Sequence, residues 1–267
     1  MTAATTTSTT GRTIAISGSA SGIGRTLAET LRGRGEAVIG VDLRDADVCA
    51  DLGTPEGRAA AVAGVLDRSG GTLDGVVACA GVSGPTPLTV TVNHFGAVAL
   101  LEGLRPALAR AARPRAAAVG SISGTQPVDD DVLRACLDGD EPAALAAAAK
   151  VIERGAGNRL YPSSKSALAR WLRAASVSPE WAGAGIPLNA VAPGVVRTPM
   201  SEPLFADPKM REVMDRAVPM PLNGYADPEV VAEALAWLIS PANSHMAGQV
   251  VYVDGGAEAS LRGPGAY

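Results

Sequence analysis

Residues 13–24 read Thr13-Ile-Ala-Ile-Ser17-Gly18-Ser-Ala-Ser-Gly22-Ile-Gly24, a short apolar run followed by three glycines. This pattern predicts a buried strand, a tight turn and then a helix over about residues 23–32. Gly18 permits a sharp exit from the strand, Gly22 lets backbone approach a pyrophosphate, and Gly24 allows the helix to pack closely on the sheet. A pyrophosphate would then meet free N–H groups at the positive end of the helix. The stretch therefore predicts a dinucleotide seat; a glycine turn that serves packing alone is the alternative.

The rest of the chain repeats this alternation of short apolar runs and helical segments. Further strands are predicted at 37–42, 76–80, 116–121, 188–192 and 250–253, and further helices from about 55, over 93–110, from 158 and over 227–239. Alternating strands and helices pair in parallel, which predicts one doubly wound α/β Rossmann domain over residues 12–267 with a parallel, mostly seven-stranded sheet. Residues 1–11, rich in Thr and Ser, are predicted to form a flexible tail.

Composition excludes several classes of function. The net charge of -4 offers no basic face for nucleic acid. No stretch approaches the roughly 20 apolar residues that cross a bilayer, and the N-terminus lacks the pattern of a signal peptide. Cys49, Cys79 and Cys136 have no metal-ligand spacing, and no metal site is predicted. We expect these cysteines to be buried, reduced thiols in a cytoplasmic protein.

The segment Tyr161-Pro-Ser-Ser-Lys165 places a lysine one helical turn after a tyrosine, on the helix predicted from Asn158. Oxidising an alcohol requires its hydroxyl proton to leave, so a base must lie within hydrogen-bond reach of that oxygen. A free tyrosine, with a pKa near ~10, is a poor base at neutral pH. The lysine ammonium would stabilise the phenolate. Combined with the glycine turn, the pair predicts a nicotinamide-dependent oxidoreductase. Pro162 is compatible with a helix that begins just before it.

An acidic residue, Asp42, ends the second predicted strand, eighteen residues after Gly24. A carboxylate at this point accepts hydrogen bonds from adenosine ribose hydroxyls and repels a 2′-phosphate. Arg44 is the one nearby feature that favours NADP. The sequence therefore predicts NAD as the cofactor.

Several further motifs follow in order along the chain: Ala80-Gly81, Val92-Asn93, Gly120-Ser121-Ile-Ser-Gly124, Asn189-Ala-Val-Ala-Pro193-Gly194 and Asp254-Gly255-Gly256. With the glycine turn and the Tyr-x-x-x-Lys pair, they make the chain similar to the short-chain dehydrogenase/reductase family over about residues 12–257. The chain departs from the family pattern at Ser17, and at Ala78-Cys79 where many members carry two asparagines.

The resemblance implies a role for each matching residue. Tyr161 would be the acid/base, Lys165 would lower its pKa and bind the nicotinamide ribose, and Asn93 would hold a water that links Lys165 to solvent. Ser121, with Tyr161, would contact the substrate oxygen; Ser123 is a rival that the spacing to Gly124 disfavours. The cofactor-binding positions would be Gly18, Ser19, Ser21, Gly22, Ile23, Asp42, Asp51, Leu52, Gly81, Tyr161, Lys165 and Thr198.

Ser121 and Tyr161 lie forty residues apart, far more than in most family members. The extra segment, about residues 128–157, is predicted to form one or two amphipathic helices. The stretches at 42–48 and 50–57 resemble the bacterial 3α-hydroxysteroid dehydrogenase/carbonyl reductase subgroup, in which a similar insertion covers the usual dimer surface. We therefore expect a homodimer or homotetramer that uses another surface; a solvated decoration is the alternative.

Residues 197–226 contain four of the six methionines. Adaptable apolar side chains after the last catalytic strand predict a lid over a bulky, weakly polar substrate, with core packing as the alternative. The leading hypothesis is an NAD(H)-dependent enzyme that interconverts a hydrophobic secondary alcohol and a ketone, with a 3α-hydroxysteroid as one candidate. An aryl or allylic (coniferyl-type) alcohol dehydrogenase, a non-catalytic dinucleotide-binding protein, and an epimerase or dehydratase are the alternatives.

Overall fold

The computed structural model describes residues 11–266, and its central element is a parallel sheet. Its seven strands are β1 (Thr13–Ser17), β2 (Ala37–Asp42), β3 (Val48–Cys49), β4 (Gly75–Ala78), β5 (Arg115–Val119), β6 (Leu188–Pro193) and β7 (Val250–Val253). They are arranged in the order β3-β2-β1-β4-β5-β6-β7, and every neighbouring pair is parallel. The predicted doubly wound, seven-stranded sheet is confirmed. Strands β4, β5 and β6 are buried along their whole length, because helices cover both faces of the sheet.

Eleven helices are present among the described residues. They are α1 (Gly22–Gly33), α2 (Pro55–Ser69), α3 (Leu88–Val90), α4 (Ala97–Leu108), α5 (Asp130–Leu137), α6 (Glu141–Glu153), α7 (Leu160–Ala175), α8 (Glu202–Ala206), α9 (Pro208–Ala217), α10 (Pro228–Leu238) and α11 (Ala257–Arg262). Helices α2, α4 and α7 enclose one apolar core on one face of the sheet, and α1 and α10 enclose a second core on the other.

Some predicted bounds differ from the structure. The helix predicted over 93–110 is a π-helical turn, Thr91–Gly96, followed by α4. Strand β3 was not predicted, since two residues are too short to show a pattern. Strands β4 and β5 end two residues earlier than predicted, because the chain leaves the sheet there to build the site. The cysteine prediction was wrong in part: the thiols are free, but Cys49 is exposed and only Cys136 is fully buried.

The insertion before Tyr161 forms two helices, α5 and α6, as the sequence predicts. Each begins at an aspartate whose side chain accepts a hydrogen bond from a first-turn N–H: Asp129 from Val132, and Asp140 from Ala143. The two helices enclose a third apolar core with the π-helical turn and the start of α7. The insertion is therefore packed against the elements that carry the predicted site.

The order of strands changes direction between β1 and β4, and this places a crevice at their carboxyl ends. The turn after β1 lies against the end of β4: a Cβ built on Gly18 would lie 2.9 Å from Ala80 Cα. In doubly wound sheets, ligands bind in such a crevice.

The predicted flexible tail at residues 1–11 lies, apart from Gly11, outside the described residues. The single-domain organisation stays a prediction. Over residues 11–266, none of the helices has both the length and the apolar character that crossing a bilayer requires.

Candidate active site

A cavity of about 850 Å³ opens at the carboxyl ends of the strands. It extends from the glycine turn, past Ser121, Tyr161 and Lys165, to a wall formed by the insertion and by the segment after β6. Nine of the predicted site residues line it: Gly18, Ser21, Gly22, Ile23, Gly81, Ser121, Tyr161, Lys165 and Thr198. The structure thus brings together residues separated by up to 180 positions in the sequence.

Backbone geometry accounts for the glycines of the turn. Gly18 and Gly22 both have positive φ, +69° and +50°, which favours glycine. A Cβ on Gly24 would lie 2.2 Å from the carbonyl oxygen of Gly18, so no side chain fits there without displacing the backbone. The turn leads directly into α1, whose N-cap is Ser21. The N-terminal N–H groups of this helix face the cavity and can bind an anion.

Asp42 stands at the end of β2 and holds the glycine turn in place. Its Oδ2 accepts a hydrogen bond from Ala20 N at 2.9 Å, and its Oδ1 accepts one from Leu43 N at 2.7 Å. Ser19 lies beside it with a buried hydroxyl that finds no partner among the described residues. Neither side chain lines the cavity itself.

Tyr161 and Lys165 lie on the first two turns of α7, with Lys165 Nζ 5.8 Å from the centroid of the tyrosine ring. Lys165 is 4% exposed, and its Nζ donates a hydrogen bond to the Val119 carbonyl oxygen at 2.8 Å. The helix is preceded by a 3-10 turn at Gly157–Arg159. Pro162 is therefore the third residue of α7, where its missing N–H is not needed.

Burial shifts both ionisable groups of this pair. It lowers the pKa of Lys165 to about 8, since an ammonium loses hydration in the protein interior. It also raises the pKa of Tyr161, and the hydrogen bond with the Ser121 side chain opposes this only in part. The lowering of the tyrosine pKa by Lys165 stays a prediction. The phenol is held in its protonated form, the form that can donate a proton to a carbonyl oxygen.

Ser121 is positioned where β5 ends and a 3-10 turn, Ile122–Thr125, begins. Its Oγ accepts a hydrogen bond from Ser123 N at 3.1 Å, and the Ser121 side chain also lowers the pKa of Tyr161. Both serines line the cavity. The choice of Ser121 over Ser123 as the substrate-contacting serine stays a prediction.

Asn93 lies in the π-helical turn and is fully buried. Its amide exchanges two hydrogen bonds with the backbone of Val82, at 2.8 and 2.9 Å, and donates a third to Ser164 Oγ. It lies outside the cavity lining. A Cβ on Gly81 would nonetheless meet Asn93 Oδ1 at 3.2 Å and Lys165 Nζ at 3.5 Å. The amide thus fixes the loop that faces Lys165, and the water-holding role stays a prediction.

Two further predicted positions, Asp51 and Leu52, do not line the cavity either. The Asp51 carboxylate accepts a hydrogen bond from Gly53 N, and the Leu52 side chain is buried in the main core. Asp51 lies near the same edge as Asp42, because Ala50 N donates to the Asp42 carbonyl oxygen at 2.8 Å. Contacts of Asp51 and Leu52 with adenine stay a prediction.

The far end of the cavity is apolar. Helices α8 and α9 form the segment predicted as a lid, and Met200, Met210 and Met214 line the cavity from it. Met220 does not: its sulfur accepts a hydrogen bond from Val195 N and packs beneath Gly194. A backbone bridge between Val196 and Ala226 joins the two ends of the segment.

Sequence reasoning missed the insertion's contribution to the cavity. Ile152, Gly155 and Gly157 of the insertion line the cavity, as do Asn158 just after it and Pro85 from the loop after β4. Cys79, noted only as a departure from the family pattern, also lines the cavity; burial raises the pKa of its thiol to about 12, so the group is neutral.

Comparison with known proteins agrees with this geometry. The family described as enoyl-(acyl carrier protein) reductase matches residues 143–258. The chain is 36% identical over 253 residues to the 3-alpha-hydroxysteroid dehydrogenase/carbonyl reductase of Comamonas testosteroni, covering 93% of this chain and 97% of that protein. It is 32% identical over 265 residues to cis-4-hydroxycyclohexanecarboxylate dehydrogenase of Sinomonas cyclohexanicum, covering 92% and 96%.

Among solved structures, the chain is similar to the 3-alpha-hydroxysteroid dehydrogenase from Pseudomonas sp. B-0831 complexed with NADH. The two are 47% identical with a TM-score of 0.87, over 94% of this chain and 98% of that chain. The chain belongs to the short-chain dehydrogenase/reductase family and is an oxidoreductase of that family.

Proposed function

We propose that the protein is an NAD(H)-dependent oxidoreductase that interconverts a hydrophobic secondary alcohol and its ketone, with 3α-hydroxysteroids as the first class to test. One observation carries the proposal: Tyr161, Lys165 and Ser121 meet in a cavity that has a glycine cradle at one end and apolar walls at the other. The relatives named as 3-alpha-hydroxysteroid dehydrogenases support the substrate class.

The residues present fit a dinucleotide. The cradle is bare backbone that a Cβ at Gly24 would fill, and it leads into the N-terminus of the twelve-residue α1. Gly18, Ser21, Gly22 and Ile23 would hold the pyrophosphate there. When bound, the nicotinamide supplies the hydride chemistry.

The protein's own groups handle the proton. In the reductive direction, the neutral Tyr161 donates its hydroxyl proton to the carbonyl oxygen while Ser121 hydrogen-bonds the same oxygen. In the oxidative direction, the proton of the alcohol passes back to the tyrosine oxygen. That oxygen must start the oxidative step as a phenolate, which the Lys165 ammonium close to the ring would stabilise, and we also assign Lys165 the ribose contact that the family pattern implies.

Asp42 supports NAD over NADP. Its two oxygens each accept one backbone hydrogen bond and retain lone pairs for ribose hydroxyls. The carboxylate would repel a 2′-phosphate at the same place. Arg44, two residues further on, is exposed. NADP binding would require its positive charge to offset the repulsion between Asp42 and the 2′-phosphate.

The walls support a neutral, bulky substrate. Over the part of the chain that the structure describes, Lys165 is the sole charged residue that lines the cavity. A substrate carboxylate, such as the one named for the Sinomonas relative, would find no arginine there. The apolar side chains from α6 and α9 suit fused rings or an aromatic body.

The test is to mix the purified protein with NAD and a panel of 3α-hydroxysteroids, aryl and allylic alcohols, and hydroxycyclohexanecarboxylates, following NADH absorbance. We expect turnover on the steroids, and a clear loss when NADP replaces NAD. Turnover confined to the aryl or allylic alcohols would replace the substrate assignment. NAD binding without turnover on any member would favour the non-catalytic protein, and isomerised product without NADH would favour an epimerase.

Assembly is the second part of the proposal. Helices α5 and α6 pack over the π-helical turn and α7, so a partner cannot reach that face without displacing them. We propose a homodimer or homotetramer that forms through another surface, in the cytoplasm. Light scattering of the purified chain gives the mass directly, and a monomer at micromolar concentration would refute it.

A further inference from the structure

The end of the insertion lies in the cavity and is rigidly joined to the catalytic helix. Helix α6 ends at Glu153, the residue after Ile152, and Gly155 follows with a φ of +74°. Gly155 N and Ala156 N donate hydrogen bonds back to the carbonyl oxygens of Ile152 and Val151, both at 2.9 Å. The 3-10 turn that follows leads without a break into α7 and Tyr161. A side chain at position 152 therefore has a fixed place relative to the reacting oxygen.

The two ends of α6 are anchored from outside the helix. Glu141, in its first turn, forms a bidentate ion pair with the buried Arg58 of α2, at 2.6 and 2.7 Å. At the other end, Arg154 pairs with Asp129, the N-cap of α5. Ala144, Ala148 and Val151 bury one face of α6 in the insertion core. The half-buried Ile152 lies next to that face and lines the cavity.

A close contact fixes the wall on its other side. A Cβ on Gly157 would lie 2.6 Å from Pro85 Cβ and 3.7 Å from Ile152 Cγ1, so these three residues already meet without spare room. The lid's part of the lining differs: Met210 is unbranched and 44% exposed. A β-branched side chain is stiff at χ1, whereas methionine adapts its shape.

We propose that Ile152, backed by Pro85 and Gly157, is the substrate-selecting wall, and that it selects the size of a neutral alicyclic body next to the reacting carbon. This inference rests on the proposed function, because it assumes that the substrate's ketone lies at Tyr161. The insertion would then contribute to substrate recognition as well as to packing.

The test compares Ile152→Ala and Ile152→Phe with the wild type. A matched control is Val151→Ala, the adjacent residue, whose side chain is 1% exposed in the insertion core and does not line the cavity. For each protein, kcat/KM with NADH is measured for a tetracyclic 3-ketosteroid and for cyclohexanone. Dissociation constants of both ketones from the enzyme–NADH complex are measured by calorimetry, and thermal unfolding is followed in parallel.

We expect Ile152→Phe to lower the steroid-to-cyclohexanone ratio by at least about tenfold and Ile152→Ala to raise it, because a few methylenes in a specificity pocket change discrimination by about 10–200-fold. Val151→Ala should lower the melting temperature through its cavity and leave the ratio within about twofold. If Ile152→Phe does not fold, Ile152→Ala decides alone.

The outcomes separate the two proposals. Turnover with an unchanged ratio in the Ile152 variants overturns the wall and leaves the proposed function standing. Binding of both ketones without turnover sinks the proposed function, and the ratio of dissociation constants then judges the wall. A wild-type enzyme–NADH complex that neither binds nor reduces either ketone overturns both.

Discussion

The cavity is lined by backbone at its glycine-turn end and by side chains of Ile152, Met210 and Met214 at its insertion and lid end. At the first end, the shape is set by positive φ angles and by the lack of room for a Cβ. At the second end, many apolar side chains of suitable volume would form a wall. The difference teaches that the shape of the glycine-turn end is fixed by sterics, whereas the shape of the other end depends on which apolar side chains line it.

Tyr161 lies between these two ends, and replacing it should have the largest effect. Tyr161→Phe removes only the hydroxyl, so we expect kcat to fall by about 10²–10⁴-fold, the usual loss for a general acid–base group. Binding of NADH and of the ketone should stay near the wild-type values. Steady-state kinetics and calorimetry measure the two separately. Turnover close to wild type would show that the reacting proton takes another route.

Gly24→Ala tests the glycine-turn end of the cavity, where backbone forms the lining. The new Cβ would lie 2.2 Å from the Gly18 carbonyl oxygen, so the turn or α1 must shift. We expect a loss of about 3 kcal/mol or more of unfolding free energy, at or beyond the usual cost of overpacking, together with weakened NADH binding.

Gly33→Ala is the matched control, because it lies in the same helix and its Cβ would have no atom of the described residues within 4 Å. It should be neutral or stabilising by about 0.5–1 kcal/mol. Denaturant melts and NADH titration of both variants check the pair. Equal effects from the two glycines would contradict the steric account of the cradle.

The backbone end could be predicted from the sequence and the side-chain end could not. Gly18, Gly22 and Gly24 are demanded by local geometry, and Tyr161 with Lys165 follows from the pitch of one helix. These constraints act over a few residues, so they leave a pattern. The same locality allowed six of the seven strands, all but β3, to be placed within two residues at most.

The contribution of Ile152 depends on how α5 and α6 pack on α7, which involves residues far apart in the chain. Asp51 and Leu52 were predicted to be site residues but do not line the cavity, and this too depends on long-range packing. Leu52 follows a two-residue strand without a readable pattern, and its burial in the main core depends on the packing of α2 and α4. Tertiary packing of this kind has no signature within a short window of sequence.

The buried ammonium of Lys165 lowers the free energy of unfolding. Its folded-state pKa of about 8 lies below the ordinary value of 10.5, so the unfolded chain binds more protons between these values. The destabilisation is therefore complete below about pH 8 and is relieved as pH rises towards 10.5. Lys165→Met should raise the unfolding free energy by about 2–3 kcal/mol at about pH 7, less the lost hydrogen bond to Val119.

The difference in unfolding free energy between Lys165→Met and the wild type should decrease by about 1 kcal/mol from about pH 7 to about pH 9. Denaturant melts at the two pH values measure it. Lys150→Met is the control, since Lys150 is exposed on α6. If this difference in unfolding free energy does not change with pH, burial does not lower the pKa of Lys165.

His94 tests the insertion as a structural unit. Its ring is buried against Phe95 in the core shared with α5 and α6, and Nε2 bonds the Cys136 carbonyl oxygen at 2.9 Å. Burial lowers its pKa to about 4, with Arg58 adding to the effect while Cys136 and Glu141 oppose it. Because the unfolded chain binds the proton more readily, stability is present above about pH 6.5 and is lost as pH falls towards 4.

Between about pH 7.5 and pH 5 the loss should be about 2 kcal/mol, and His94→Gln should remove most of it. His245, the other histidine, is exposed, so His245→Gln should follow the wild type. Melts across this range, with kcat/KM for the ketosteroid measured alongside, give the comparison. If His94→Gln and His245→Gln show the same acid sensitivity as the wild type, the insertion core does not hold its histidine neutral, and the wall at Ile152 loses the rigid support argued for it.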